Sequence, residues 1–421
     1  MRKVLFCLIL FGISLAGHSQ LTEIPTQTST RINSVAMDDD TLLILGHNDY
    51  FAKSFDIGET VSEFSIPSPD NHACYDLQVR SGYYYYYAGQ ASPYQAHIWR
   101  SRNKGEDWEN INTAEGVFLH LEMFDTTLGI LGSAGGGDFD ILQNWNEDWL
   151  TDTLSGQICA SKYFNDSIGL ILGNSRAYLT YDRGESWQLG GYISWNVPRN
   201  LQYISKDTIY LTSWKGQGPT SQFSYSFDGG VSFSSTYIGY DANIGQDVFF
   251  SSTNDLWFDS PSHGFLFGSY RAKYTQQEYC CIYETSNGGQ TWEAFMTNYE
   301  GEFTDHEYYN DSISFIAGTD GLVLKWNRNV ELVSVLDLNE EVDSEPEVHF
   351  SPNPAQNKLI FKTPESNENL RFKIYSISGQ LMYESNLNTP EHDISELGPG
   401  LYIVNILEEK KIVSNSKLIK Q

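Results

Sequence analysis

The chain has 421 residues, with 26 Lys+Arg against 54 Asp+Glu, for a formal charge of −28. A surface this acidic repels phosphate backbones and anionic lipid heads, which argues against nucleic acid and membrane partners and suits a protein kept soluble by its charge. Five cysteines and no Cys-x-x-Cys pair leave zinc and redox chemistry without a signal.

In chain order, Arg2 and Lys3 precede an apolar run from Val4 to Leu15 and a small-residue stretch, Ala16-Gly17-His18-Ser19. That build predicts a secretory signal peptide over residues 1–19. Its apolar core is short of the roughly 20 residues of a membrane span, and no later segment comes near that length, so no transmembrane segment is expected. Cys7 lies inside the apolar core, away from the cleavage point, which argues against a lipid anchor. Without the leader the balance is 24 against 54, or −30, and Cys74, Cys159, Cys280 and Cys281 remain. Neighbours Cys280 and Cys281 point to opposite faces of a strand, so at most one is expected in a core.

From residue 21 a turn motif recurs: Ser/Thr-x-Asp/Asn-x-Gly-x-x-Trp. Its copies are Ser101-Asn103-Gly105-Trp108, Thr180-Asp182-Gly184-Trp187 and Thr285-Asn287-Gly289-Trp292. Ser226-Asp228-Gly230-Phe233 and Ser54-Asp56-Gly58-Val61 keep the frame with another residue at its end. Degenerate copies stand at Asn144-x-Asn146-x-x-Trp149 and Asn327-x-Asn329-x-x-Leu332. The spacing, roughly 40 to 50 residues, marks a propeller or solenoid. Seven β-type runs accompany the turns: Thr41–Gly46, Tyr83–Gly89, Thr127–Gly132, Ser167–Gly173, Thr208–Trp214, Gly264–Gly268 and Ser312–Gly318. Each has an alternating segment before it and two more after it. The expectation is an all-β, seven-bladed propeller over 21–338, each turn joining the third and fourth strands of a blade. Asp or Asn would accept turn N–H groups, Gly would supply the left-handed step, and Trp would fold beneath the turn. Ring closure stays open between a blade built wholly from the C-terminal side and one that borrows Leu21–Pro25.

The repeat resembles the Asp-box (BNR) propellers, a group that includes sialidases, sortilin-type receptors and xyloglucanases, and it is most similar to the photosystem II assembly-factor propellers. The resemblance implies a fold, with the motif residues structural. A sialidase would need three converging arginines and a xyloglucanase two facing aspartates. Arg31-Ile32-Asn33 is the nearest counterpart of the sialidases' Arg-Ile-Pro segment but lacks its Pro, nothing around Arg199, Arg271 and Arg328 matches a family segment, and Asp138, Asp140, Asp241 and Asp305 read as loop residues. No catalytic residue is assigned. Tyr83–Tyr87 reads as blade packing with alternating faces, and Gly135-Gly136-Gly137 as a flexible connection. Calcium is conceivable at Asp38-Asp39-Asp40, a hairpin turn, or at Asp305-His306-Glu307, a polar strand edge. Neither has the ligand count of a site, so no cofactor is expected. The longer connections Lys215–Ser221 and Tyr270–Tyr279 are candidate ligand loops.

An acidic linker, residues 339–347, leads to a second β domain at 348–421 that reads as a small antiparallel sandwich. It carries Pro352-Asn353-Pro354, a strand closing on Gly379-Gln380, Asp393-x-Ser-x-Leu397, Gly400-x-Tyr402 and a basic-apolar end with Lys417. These elements resemble the type IX secretion C-terminal sorting domain, which implies contact with that secretion machinery and a secreted or surface location. The expected role is a binding module for a protein or glycan ligand. The competing expectation is a glycan-cleaving hydrolase, sialidase-like or xyloglucanase-like.

Overall fold

The computed structural model describes residues 21–67, 72–91, 94–116, 118–133, 138–142, 149–153, 158–173, 176–193, 197–214, 221–238, 248–272, 277–330, 332, 349–362, 370–376, 380–408 and 411–421. The leader, Asn144, Asn146, Asp241, the acidic linker and Gly379 lie outside them. The described residues are all β and divide into two compact units, Leu21–Val335 and Leu336–Gln421.

The first unit holds seven four-stranded antiparallel sheets. Their innermost strands are Ile32–Asp38, His72–Arg80, Phe118–Met123, Ile158–Tyr163, Val197–Tyr203, Val248–Phe258 and Phe303–Asn310. Each neighbours the next, and the seventh returns to the first, giving the closed cycle of a propeller. The seven runs picked out from the sequence are the second strands; Thr41–Gly46 matches to the residue. They read clearly because they are packed on both faces. Tyr84 and Tyr86 sit in the seam with the first blade, and Tyr85 and Tyr87 in the seam with the third.

The same sandwiching corrects the cysteine expectation. Cys280 and Cys281 do alternate, yet both are fully buried, because their strand, Glu278–Thr285, has a blade on either side. Cys74, Cys280 and Cys281 are thiols outside any disulfide. The expected connection Tyr270–Tyr279 begins and ends in strand: Gly264–Ala272 pairs with Glu278–Thr285, and Tyr270 stacks on Tyr279 at 5.4 Å.

The recurring turn has one geometry in five blades. The first hydroxyl donates to the Asp or Asn side chain (2.7 Å for Ser54–Asp56, 3.0 Å for Ser101–Asn103) and accepts the Gly N–H at 2.7–2.9 Å. The Gly residues take φ of 77–92°, where a side chain is strained. The residue two beyond Gly donates its N–H to the same Asp or Asn. Its side chain is matched as well. Thr60, Ser186 and Ser232 donate to an Asp, whereas Asp107 and Thr291 accept from an Asn.

The motif's last residue does more than fold beneath its turn, because it fills the seam with the preceding blade. Trp108 stands edge-on to Phe51 of the first blade at 5.8 Å, and Trp292 to Phe223 of the fifth at 5.2 Å. Phe233, Val61 and Trp187 join the corresponding seams. Thr285→Val, which keeps the shape but removes the acceptor of the Gly289 N–H, is expected to cost about 1–3 kcal/mol, read as a lower urea midpoint with an unchanged slope.

In the seventh blade, Leu21–Glu23 is the fourth strand, pairing Leu21 with Trp326 and Glu23 with Leu324. The degenerate Asn327 copy therefore joins no third and fourth strand, and the ring closes by borrowing from the N-terminal side.

The second unit packs a three-stranded sheet and a four-stranded sheet around Leu359, Phe361, Phe372, Ile374, Val404 and Leu418. Its motif residues are structural. Asn353 donates to the Lys417 carbonyl at 2.6 Å and accepts from Ile419 N at 2.9 Å, tying the Pro352-Asn353-Pro354 segment to the last strand. Asp393 accepts Ser395 N, Leu397 is core, Gln380 pairs with Ser376, and Tyr402 at the start of the Gly400–Glu408 strand donates to the Gly398 carbonyl. Lys417 is exposed, opposite Ile403.

Candidate functional site: the central channel

An innermost strand has a sheet partner on one side only, so its outward N–H and C=O groups need another partner or water. Here the neighbouring blade supplies it through side chains. Asp305 Oδ2 accepts both Val35 N and Ser34 Oγ at 2.8 Å, and Glu307 Oε1 accepts Met37 N at 3.2 Å. Asp76 accepts Leu121 N at 3.1 Å; Gln78 accepts Met123 N at 2.8 Å and donates to Leu121 O at 2.6 Å. His120 Nε2 accepts Ser161 N at 3.0 Å. Gln202 accepts Phe258 N and donates to Phe258 O, and Asp255 accepts His306 N at 2.8 Å. Asn33 donates to the Cys74 carbonyl at 2.5 Å. Among the described residues, at least six of the seven junctions between blades thus carry a side-chain latch onto the next strand's main chain.

The latches surround a cavity of about 310 Å³ at the centre of the ring. Its lining includes Asp76, Glu122, Asp305 and Glu307, opposed by Arg80, Lys162 and Arg199. Burial pushes Asp76 and Glu307 up to about 7, aided in both by carboxylate neighbours. Burial also raises Asp255 and Asp305, and the neighbouring Asp305 carboxylate adds to the rise at Asp255. For Glu122 the upward push of burial is outweighed by Lys162, at 3.0 Å, and Arg80, at 3.5 Å, which hold it ionised. Burial drives His120 down to about 4, so its ring is neutral; with Nε2 accepting, the proton lies on Nδ1, 3.8 Å from Asp76.

The linkage sign follows from these shifts. Glu307 holds its proton in the fold to about pH 7, against 4.5 unfolded, so its contribution is fully present below pH 4.5 and is lost as pH rises through 7. Glu307→Gln keeps the acceptor for Met37 N and cannot ionise. It is expected to gain over the parent from about pH 4.5 upward, levelling near 1–2 kcal/mol above pH 7 once channel solvent is allowed for, in urea titrations at each pH.

Of the residues weighed from the sequence, the channel gathers Asp305, Glu307 and Arg199. Arg31 pairs with Glu302 before the first inner strand begins, whereas Arg328 contacts the Asn310 carbonyl where the seventh ends. The latches show these two strands to be parallel, so the two arginines lie at opposite ends and do not converge. Arg271 pairs with Glu278. Asp138 and Asp140 share a strand, Asp138–Leu142, in the third blade. Asp305-His306-Glu307 is the edge of its sheet, as expected, and this edge faces the channel, with His306 turned into the seam against Phe267 at 4.3 Å. Asp38 binds Tyr84 and Lys104 at the hairpin. Among the described residues no group of three or more His, Cys, Asp or Glu is placed to hold a metal ion. Sequence reasoning missed Asp76, Gln78, Gln202 and Asp255. Their signal was a polar i, i+2 pair or single acid inside an otherwise apolar repeat.

Residues 350–421 match the secretion system C-terminal sorting domain family, so the chain carries a type IX sorting tail and is marked for export to the cell surface or beyond. No curated protein matches the chain. Among solved structures it is similar to YCF48 from Cyanidioschyzon merolae (13% identity, TM-score 0.56, 74% of this chain and 100% of that one). A structure of YCF48 bound to D1 peptide gives 13% identity, TM-score 0.53, and 74% and 97% coverage. The extracellular domain of a hybrid two-component system from B. thetaiotaomicron gives 10% identity and TM-score 0.55, over 96% of this chain and 57% of that one. At these identities the likeness is one of fold. Among the described residues no helix is long and apolar enough to cross a membrane.

Proposed function

We propose that the propeller is a recognition module, carried out of the cell by its sorting tail to bind a protein or glycan ligand at the channel and its rim. The supporting observation is the latch pattern. Asp305, Glu307, Asp76, Gln78, Gln202 and Asp255 each hold main-chain groups of the next blade, so the lining is a rigid polar surface fixed before any ligand arrives. A catalytic acid would have to leave its latch to act. The repeated turns, spread over five blades, read on this view as the structural Asp-box of a seven-bladed scaffold.

A hydrolase reading has one observation in its favour: Asp76 and Glu307 both titrate near 7 in a cavity, the range of a general acid at neutral pH. Incubating the full chain with a panel of polysaccharides separates the readings, with products read by mass spectrometry and retention by pull-down. Retention without product is expected for glycan recognition. Product formation that Glu307→Gln or Asp76→Asn abolishes would overturn the proposal. Neither retention nor product would assign the ligand to the protein class.

A further inference from the structure

In the second, fifth and seventh blades the later member of the inner-strand pair, Gln78, Gln202 or Glu307, holds a main-chain N–H of the next blade. The sixth blade departs from this. Its pair is Asp255 and Trp257. Asp255 latches His306 N, but an indole has no acceptor and cannot hold a main-chain N–H. Trp257 instead stacks on Tyr308 of the seventh blade, with ring centres 5.1 Å apart and planes 20° apart, and on Phe265 at 5.9 Å. The seventh inner strand also breaks register between Tyr308 and Asn310, an irregularity of the kind that re-aims a side chain.

Tyr308 is 38% exposed. Of the exposed large apolar side chains among the described propeller residues, it is the one that lines the channel. Its neighbours fix which side is open. Trp257 covers one face. The Arg328 guanidinium is 4.5 Å from the Trp257 ring centre and 4.7 Å from that of Tyr308, too near Trp257 to lie across Tyr308 from it. It stands beside the stack, donating to the Asn310 carbonyl, and the Tyr308 hydroxyl donates to Asp311 at 2.7 Å. The ring is thus held in place with its outer face toward solvent.

We propose that Tyr308, backed by Trp257, is a stacking platform for one pyranose unit of a neutral glycan; this rests on the recognition reading above and narrows its ligand. A pyranose presents a face of C–H groups to an aromatic ring and a rim of hydroxyls to polar groups. Both find partners here, the first on the open Tyr308 face and the second among Glu307, Gln202 and Lys162 in the lining of the same cavity. The cavity, about 310 Å³, is at the small end of ligand sites, which run from roughly 300 to 1,000 Å³, so it admits a sugar unit rather than the surface of a folded partner. The unit is uncharged because the cations nearby are already engaged, Arg80 and Lys162 by Glu122, and Arg328 by the stack and the Asn310 carbonyl.

The test is affinity electrophoresis of the full chain through gels that contain starch, a β-glucan, a mannan or a xylan. At least one of them is expected to retard the parent. Tyr308→Ala is expected to weaken that binding by about tenfold, with the chain still folded by its melting curve. Tyr308→Phe keeps the face, loses only the bond to Asp311, and is expected to bind as the parent does. Trp257→Gln gives the sixth blade the latch residue of the second and fifth, removes the backing, and is expected to lose binding as well. Retention that survives both Tyr308→Ala and Trp257→Gln would overturn the platform and leave glycan recognition standing. A loss in Tyr308→Phe as severe as in Tyr308→Ala would overturn it too, since the ring face would then not be what binds. If no polysaccharide retards the parent, the platform and the glycan half of the proposed function fall together, and the ligand is a protein.

Discussion

Removing residues 21–26 is expected to abolish cooperative unfolding of the propeller, although the segment contributes only one three-residue strand. The reason is position. Leu21–Glu23 is the outer strand of the seventh blade; Ile24 is buried with Ile32, Phe315 and Val323; Thr26 donates to the Gly321 carbonyl at 2.6 Å and accepts from Tyr50 at 2.6 Å. These contacts join the two ends of the ring. A milder probe is Ile24→Asp, which puts an unpaired carboxylate into that seam. It should lower stability by about 3–5 kcal/mol, read by urea denaturation, whereas Glu23→Gln on the exposed strand should change little.

The second large effect is expected at Asp305. Alanine there strands Val35 N and leaves Ser34 Oγ with only the Leu77 carbonyl, at 3.4 Å, as an acceptor. A loss of about 2–4 kcal/mol follows from unsatisfied groups of this kind. Asn keeps an acceptor and removes a buried charge. Because the raised Asp305 titration means that stability is present at low pH and lost as pH rises, Asp305→Asn should match or exceed the parent at pH 8. Alanine and asparagine therefore separate in sign, which a merely space-filling role for Asp305 would not produce.

What the sequence made legible is whatever repeats and is packed on both sides. The second strands stood out as short apolar runs because blades cover both their faces; that same two-sided burial is why the alternation rule, which assumes one wet face, misplaced Cys280 and Cys281. The turns were legible because hydroxyl, carboxyl or amide, and Gly must stand at fixed offsets. The partner two residues beyond Gly escaped notice because its identity changes with Asp or Asn. Ring closure could not be read from Leu-Thr-Glu, since three residues carry no period. The channel was the least legible feature. Asp76, Gln78, Gln202 and Asp305 look like loop residues along the chain; only a neighbour 45 to 56 positions away gives the first three a partner, and Asp305 finds its own 270 positions away, across the closure of the ring. In the sorting tail the signals at Asp393 and Tyr402 were readable for the opposite reason, because they are local turns whose partners stand two and four residues away.

The measurement that bears most directly on the latched channel is amide hydrogen exchange at Val35, Leu121, Met123, Phe258 and His306. These N–H groups face away from their own sheets, so a side chain of the neighbouring blade is what holds them. Protection equal to that of the strand ladders, with Val35 alone released in Asp305→Ala, is the result the account predicts. Exchange at the rate of open loops would contradict it, and would free the channel carboxylates for chemistry.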